Sequence, residues 1–236
     1  MLKINSERKR KKKIAILVLI AVFFVGLIYA VFFTNFFKVQ KIKVAGNKIA
    51  SEEEIKNAFG FSYIFWPAEE KELPITVKEA QVIKSFFKRE VLIEIKEREP
   101  FALWCFLKEG IEDCRWFDKE GFVFMDSPLT KGVFIKSIKG DKEVEIGNFV
   151  MAEDLFKNLK EILNIFERSD ISVSRFETGD LKNEELTAYV GTLPIFFSLR
   201  IDPKFTEKAL ETLKTKFSGL AYIDLRSENK VFYKNK

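Results

Sequence analysis

An α+β body carried by one N-terminal transmembrane helix is the fold class the sequence predicts, and three observations predict it. From Ile14 to Phe33 the chain has twenty consecutive residues with no charge and no proline. Beyond Thr34 it changes to short runs rich in Val, Ile and Phe, bounded by Gly, Asn, Asp and Pro, which is the punctuation of strands. Between those runs stand segments with apolar residues at helical spacing, the clearest from Ala152 to Arg168.

The apolar run comes first. A helix of that length is about 30 Å long at about 1.5 Å per residue, which matches the hydrocarbon core of a bilayer. Arg8, Lys9, Arg10, Lys11, Lys12 and Lys13 stand directly before it, so the positive-inside rule places residues 1–13 in the cytoplasm as a basic tail and the body outside. The competing reading is a cleaved signal peptide. Its apolar core is usually about 7 to 15 residues long and ends in a small-x-small site, whereas this run passes into Phe32, Phe33, Thr34, Asn35, Phe36 and Phe37, which favours an uncleaved anchor over residues 14–33. A buried core helix fits less well, because nothing polar marks a second face.

The net charge of +5 suggests a nucleic-acid binder until it is located. Residues 1–13 hold seven Lys and Arg against Glu7 alone, which leaves 33 basic and 34 acidic residues for the remainder. The body is close to neutral, and the basic character belongs to topology and anionic headgroups, not to nucleic acid. The chain contains no histidine, which excludes Ser-His-Asp and Cys-His catalysis and histidine-ligated zinc. Two cysteines, Cys105 and Cys114, lie in a segment that reads as a hairpin. In an extracytoplasmic body oxidation is permitted and a disulfide between them is expected; two buried, unpaired thiols are the alternative.

After the anchor, Phe37 to Val44 reads as a first strand ended by the turn signal Gly46-Asn47. Ser51 then opens a capping box with Glu54, and Ile55, Ala58 and Phe59 supply the apolar face of a short helix. Phe61 to Leu73, with Trp66-Pro67 and the acidic Glu69, Glu70 and Glu72, is read as one or two helical turns. Thr76 to Phe87 is ambiguous: Val77, Ala80, Ile83 and Phe87 fit a helix, while Ala80, Val82 and Lys84 alternate as in a strand. Val91, Ile93 and Ile95 alternate with Leu92, Glu94 and Lys96 in a clear strand that ends before Pro100.

Trp116 to Phe124 is a turn between two apolar runs, with Asp118 suited to local backbone bonding and Gly121 to positive φ. Gly140-Asp141 and Gly147-Asn148 punctuate two short strands. The Ala152 to Arg168 helix presents Leu155, Phe156, Leu159, Ile162, Leu163 and Phe166 on one face. Strands are expected at Ile171 to Phe176, Leu186 to Val190 and Ile195 to Ile201. Asp202-Pro203 reads as an N-cap with proline at the first helical position, and Ala209, Leu210, Leu213 and Phe217 face inward from the last helix. Ala221 to Arg226 and Val231 to Lys234 close the chain as two strands.

Several of these pieces, taken in order, resemble the FtsQ/DivIB family of single-span bacterial division proteins. They are Val44-Ala45-Gly46-Asn47, Ser51 to Ile55, Val77 to Val82, and Val91 to Lys96 followed by Glu97-Arg98-Glu99-Pro100-Phe101-Ala102. The match continues in the Trp116 to Phe124 hairpin and in Tyr222-Ile223-Asp224-Leu225-Arg226. The resemblance implies a small POTRA domain of βααββ order over 37–100 and a mixed β-sheet domain with flanking helices over 101–234. It resolves the ambiguity by making Glu79 to Ser85 a strand, joined through Phe86 to Glu90 to Val91 to Lys96.

Candidate chemistry is sparse. Ser85 to Lys88 and Ser227 to Lys230 match Ser-x-x-Lys, a spacing expected by chance in a chain this rich in both, and the accompanying motifs of penicillin-recognising enzymes are missing. The acidic residues sit in capping turns or alternate with Lys on strand faces, as on a solvated surface. No catalytic residue, cofactor or metal is therefore expected, and no nucleic-acid partner. The resemblance implies a non-catalytic scaffold at the division septum that recruits division proteins and so regulates septal peptidoglycan synthesis. Tyr222, Asp224, Arg226, Val231, Phe232, Tyr233 and Lys234 would receive an FtsB/FtsL-like partner by strand addition, and the POTRA region would meet other division proteins. A membrane-anchored cell-wall hydrolase or transferase is the alternative.

Overall fold

The computed structural model describes residues 2–33, 37–64, 67–127, 136–179 and 184–236. The chain divides into two compact units, residues 1–97 and 98–236.

The first element is a single helix, α1, Leu2–Phe33. Its Lys12–Ala30 stretch is long and apolar enough to cross a membrane, and none of it is buried in protein. The basic residues before the apolar run are helical too, as the first turns of α1. Lys and Arg are good helix formers, so nothing between Leu2 and Lys13 stops the coil.

After α1 the first unit continues with β1 (Lys41–Ala45), α2 (Glu52–Asn57), β2 (Phe59–Gly60), β3 (Glu69–Glu70), β4 (Val77–Ser85) and β5 (Glu90–Glu97). Three strands make a sheet in the order β1-β5-β4, with β1 parallel and β4 antiparallel to β5. The capping box forms as the sequence predicts. The backbone N–H of Glu54 donates to Ser51 Oγ at 3.2 Å, and that of Ser51 donates to the Glu54 carboxylate at 3.0 Å. The helix it starts brings Ile55, fully buried, into one cluster with Val91, Ile93 and Ile95 of β5.

The ambiguous stretch is a strand, and its burial alternates along most of β4. The βααββ order is not reproduced. Where one or two helical turns were expected, Phe59 and Gly60 pair with Glu70 and Glu69, and the N–H of Lys71 donates to the carbonyl of Ala58 at 2.8 Å. Six residues lie between Pro67 and Pro74, too few to offset the cost of nucleating a helix, so the acidic run takes an extended ladder instead. Trp66 lies outside the described residues.

Among the described residues, the second unit forms a nine-stranded sheet in the order β14-β13-β12-β11-β10-β9-β6-β7-β8. Its strands are β6 (Ala102–Lys108), β7 (Ile111–Phe117), β8 (Val123–Asp126), β9 (Ser137–Lys139), β10 (Arg175–Thr178), β11 (Glu185–Val190), β12 (Leu193–Ser198), β13 (Leu220–Ser227) and β14 (Lys230–Asn235). Two helices, α3 (Glu153–Arg168) and α4 (Lys204–Leu213), are crossovers between parallel neighbours, α3 from β9 to β10 and α4 from β12 to β13. Both pack into a single core with the sheet residues Trp104, Phe117, Ile138, Phe197 and Ile223. Helices and one sheet face thus bury the same apolar surface, the usual two-layer solution.

Three elements depart from expectation. The strand placed at Ile171 to Phe176 is β10, beginning at Arg175. The segment before Gly147-Asn148 forms no strand; nearby, only an isolated bridge joins Phe122 to Phe149. The last helix begins at Lys204, with Pro203 as the residue before it. Asp202 nonetheless accepts the Lys204 N–H at 3.1 Å, so its carboxylate performs the capping one residue further out. Phe217 lies beyond α4, in a 3-10 turn over Lys214–Gly219.

Cys105 and Cys114 are directly paired across β6 and β7 and joined by a disulfide with Cα atoms 4.1 Å apart. With Leu103 and Trp116 they form a small apolar cluster. Glu112 is close enough to share a metal ion with the two sulfurs, but bridged sulfurs are not thiolate ligands. Replacing both cysteines by serine is expected to lower stability by about 2 to 3 kcal/mol, the loop-closure value for so short a ring. Urea denaturation of the full chain with and without reductant checks this.

Candidate partner-binding edge

The two edges of the nine-stranded sheet are not equivalent. At β8 the outer side is occupied at Val123: its N–H donates to the Asn148 carbonyl at 2.9 Å, and the Gly147 N–H donates to the Val123 carbonyl at 2.8 Å. The Phe122 and Phe149 rings close the same seam at 5.3 Å. At the other end β14 pairs only with β13, so among the described residues its outer row of backbone groups has no strand beside it.

The sequence builds the middle of this edge by alternation, between irregularities in the pairing at Leu220/Tyr222 and Asp224/Ser227. Ile223 and Leu225 of β13 are buried in the core, so Tyr222, Asp224 and Arg226 must stand on the face away from the helices. Register carries the pattern into β14: Tyr233 lies opposite Ile223, Phe232 opposite Asp224, and Lys234 opposite Tyr222. Val231 packs against the core. Phe232 and Tyr233 are 51% and 49% exposed, one on each face of the edge strand, and Lys234 is exposed. The two-residue loop Glu228-Asn229 closes the hairpin with Asn229 at φ +57, a conformation asparagine tolerates better than most residues.

Arg226 is engaged within the chain. Its guanidinium donates to both oxygens of Asp224, at 2.9 and 2.6 Å, and to both oxygens of Glu185 on β11 at 3.1 Å. It also lies over the Phe196 ring, 5.3 Å from its centroid. The hydrogen bonds from Arg226 hold the Asp224 carboxyl below the usual carboxylate range, and in return the guanidinium is raised further. The fork therefore ties β13 across β12 to β11 on the open face.

Glu185 and Phe196 were not anticipated. Glu185 is 41 residues from Arg226 in sequence, and only strand order brings them together. The two Ser-x-x-Lys matches fall at hairpin turns: Ser85 ends β4 before the turn that holds Lys88, and Ser227 and Lys230 face each other across the β13–β14 loop. No protein-family model and no curated protein matches this chain.

Proposed function

We propose that the chain is a non-catalytic, single-span scaffold of the bacterial division machinery, with its N-terminus in the cytoplasm and both folded units outside. The observation that carries this reading is the asymmetry of the large sheet, one edge strand met by a loop at Val123 and the other, β14, left with an aromatic residue on each face. An unpaired edge takes an added strand through main-chain hydrogen bonds, and alternate side chains supply specificity. Phe232 and Tyr233 are the side chains so placed, with Lys234 beside them. The arrangement of Arg8 to Lys13 before an apolar span supports the orientation.

The resemblance to the FtsQ/DivIB family supplies the occupant: a strand from an FtsB/FtsL-like division protein, with other division proteins meeting the first unit. Binding of this kind positions partners at the septum and so regulates septal peptidoglycan synthesis. Removal of Val231 to Lys236 is expected to abolish co-purification with the FtsB-like partner while circular dichroism of the remaining body is retained. Undiminished co-purification would exclude β14 as the docking edge. A septal image in live cells, set beside a peptidoglycan turnover assay, separates the scaffold from a membrane-anchored hydrolase.

A further inference from the structure

The three-stranded sheet of the first unit has two chemically different ends. Because β1 runs parallel to β5, with Lys41 opposite Glu90, the end at which the chain enters the sheet is also the end of the β4–β5 turn. The carbonyl of Arg89 in that turn accepts the N–H of Gln40 at 2.9 Å, on the approach from α1. Seven residues, 34–40, separate α1 from β1, a reach of at most about 25 Å. The turn is therefore held within that distance of the end of the apolar helix.

What the turn presents is unusual for a soluble surface. Phe87 is fully exposed, Phe86 is half-exposed, and Ile83 beside them is 47% exposed. Cations surround them: Lys41 and Lys88 are exposed and Arg89 is half-buried. Glu90 is the nearby anion, and it is paired with Lys43 at 2.5 Å. At the far end Ile49 and Ile75 are also exposed, and the charges there are mixed, with Lys48 beside Glu52 and Glu53 of α2. Apolar tips ringed by Lys and Arg match the boundary between headgroups and acyl chains; the far end, where carboxylates stand among the cations, matches it less well.

We propose that the Phe86–Arg89 turn is a lipid-contact site. Phe86 and Phe87 enter the interface of the same bilayer that α1 crosses, and Lys88, Lys41 and Arg89 face anionic phosphates. The inference rests on reading α1 as a membrane span, and the contact fixes which end of the first unit is turned toward the membrane.

The test uses the full chain in vesicles of phosphatidylethanolamine and phosphatidylglycerol, with the Cys105–Cys114 bridge intact. A fluorophore is placed on Ser85→Cys, beside the turn, or on Lys48→Cys, at the far end, and nitroxide-labelled lipid is the quencher. Quenching at position 85 is expected to exceed that at position 48 by about twofold or more. It should fall to the position-48 level when Phe86 and Phe87 are both replaced by serine. Equal quenching at the two positions in a chain that still floats with the vesicles would overturn the lipid contact while leaving the span intact. A chain that fails to float would overturn the span itself, and the contact with it.

Discussion

Replacing Trp104 by alanine is expected to destabilise the 98–236 unit by about 4 kcal/mol, the middle of the range for loss of a buried aromatic. Trp104 is fully buried, and its indole N–H donates to the Lys142 carbonyl at 3.0 Å. Alanine leaves a large void and removes the indole donor of that hydrogen bond, and the void cannot collapse easily because its walls come from separate elements of one core. Gly140 shows how tightly the site is filled, since a Cβ there would be driven into the indole ring. Gly140→Val should therefore also destabilise the unit, from overpacking where the tryptophan variant suffers from a cavity. Hydrogen exchange of the full chain, read separately for peptides of 98–236 and of the first unit, checks both. Unchanged protection in β6 and α3 of the Trp104→Ala chain would show that this core is not continuous.

Local chemistry explains which features were readable from sequence. The Ser51–Glu54 box, the α3 face and the β13 alternation each depend on residues a few positions apart, where spacing maps directly onto geometry. The stretch from Phe61 to Leu73 failed for the complementary reason. Its acidic residues favour a helix start, but what fixes its conformation is pairing with β2, a contact that composition does not encode. The edge itself is a stronger case. That Val231 to Lys234 form a last strand was legible; that β14 is an edge strand while β8, at the other edge, meets a loop at Val123 follows from a sheet order assembled over the whole second unit. Likewise the Arg226 fork has one partner two residues away, Asp224, and one on β11, Glu185, and only the first could be suspected beforehand.

The Glu97-Arg98 pair carries this division between local and non-local to the unit boundary, which falls between the two residues. In the first unit, the Glu97 carboxylate accepts the N–H groups of Ile49 and Ala50 at 2.9 and 2.8 Å, which secures the approach to α2. In the second, Arg98 donates to Asp118 at 2.6 Å and lies 3.9 Å from the centroid of the Phe122 ring. Asp118 is buried, and its other oxygen accepts the N–H groups of Glu120 and Phe122 at 2.9 and 3.0 Å; the same turn holds Gly121 at φ +85. Arg98→Ala removes the cation paired with a carboxylate that is 3% exposed, so the loss is that of breaking a buried ion pair, about 3 to 5 kcal/mol. Arg98→Ala combined with Asp118→Asn is expected to recover part of it, because the amide can accept the two N–H groups without carrying charge. If instead the double variant is less stable than Arg98→Ala alone by the full cost of a second independent site, the pair is not coupled and the charge of Asp118 is met by solvent.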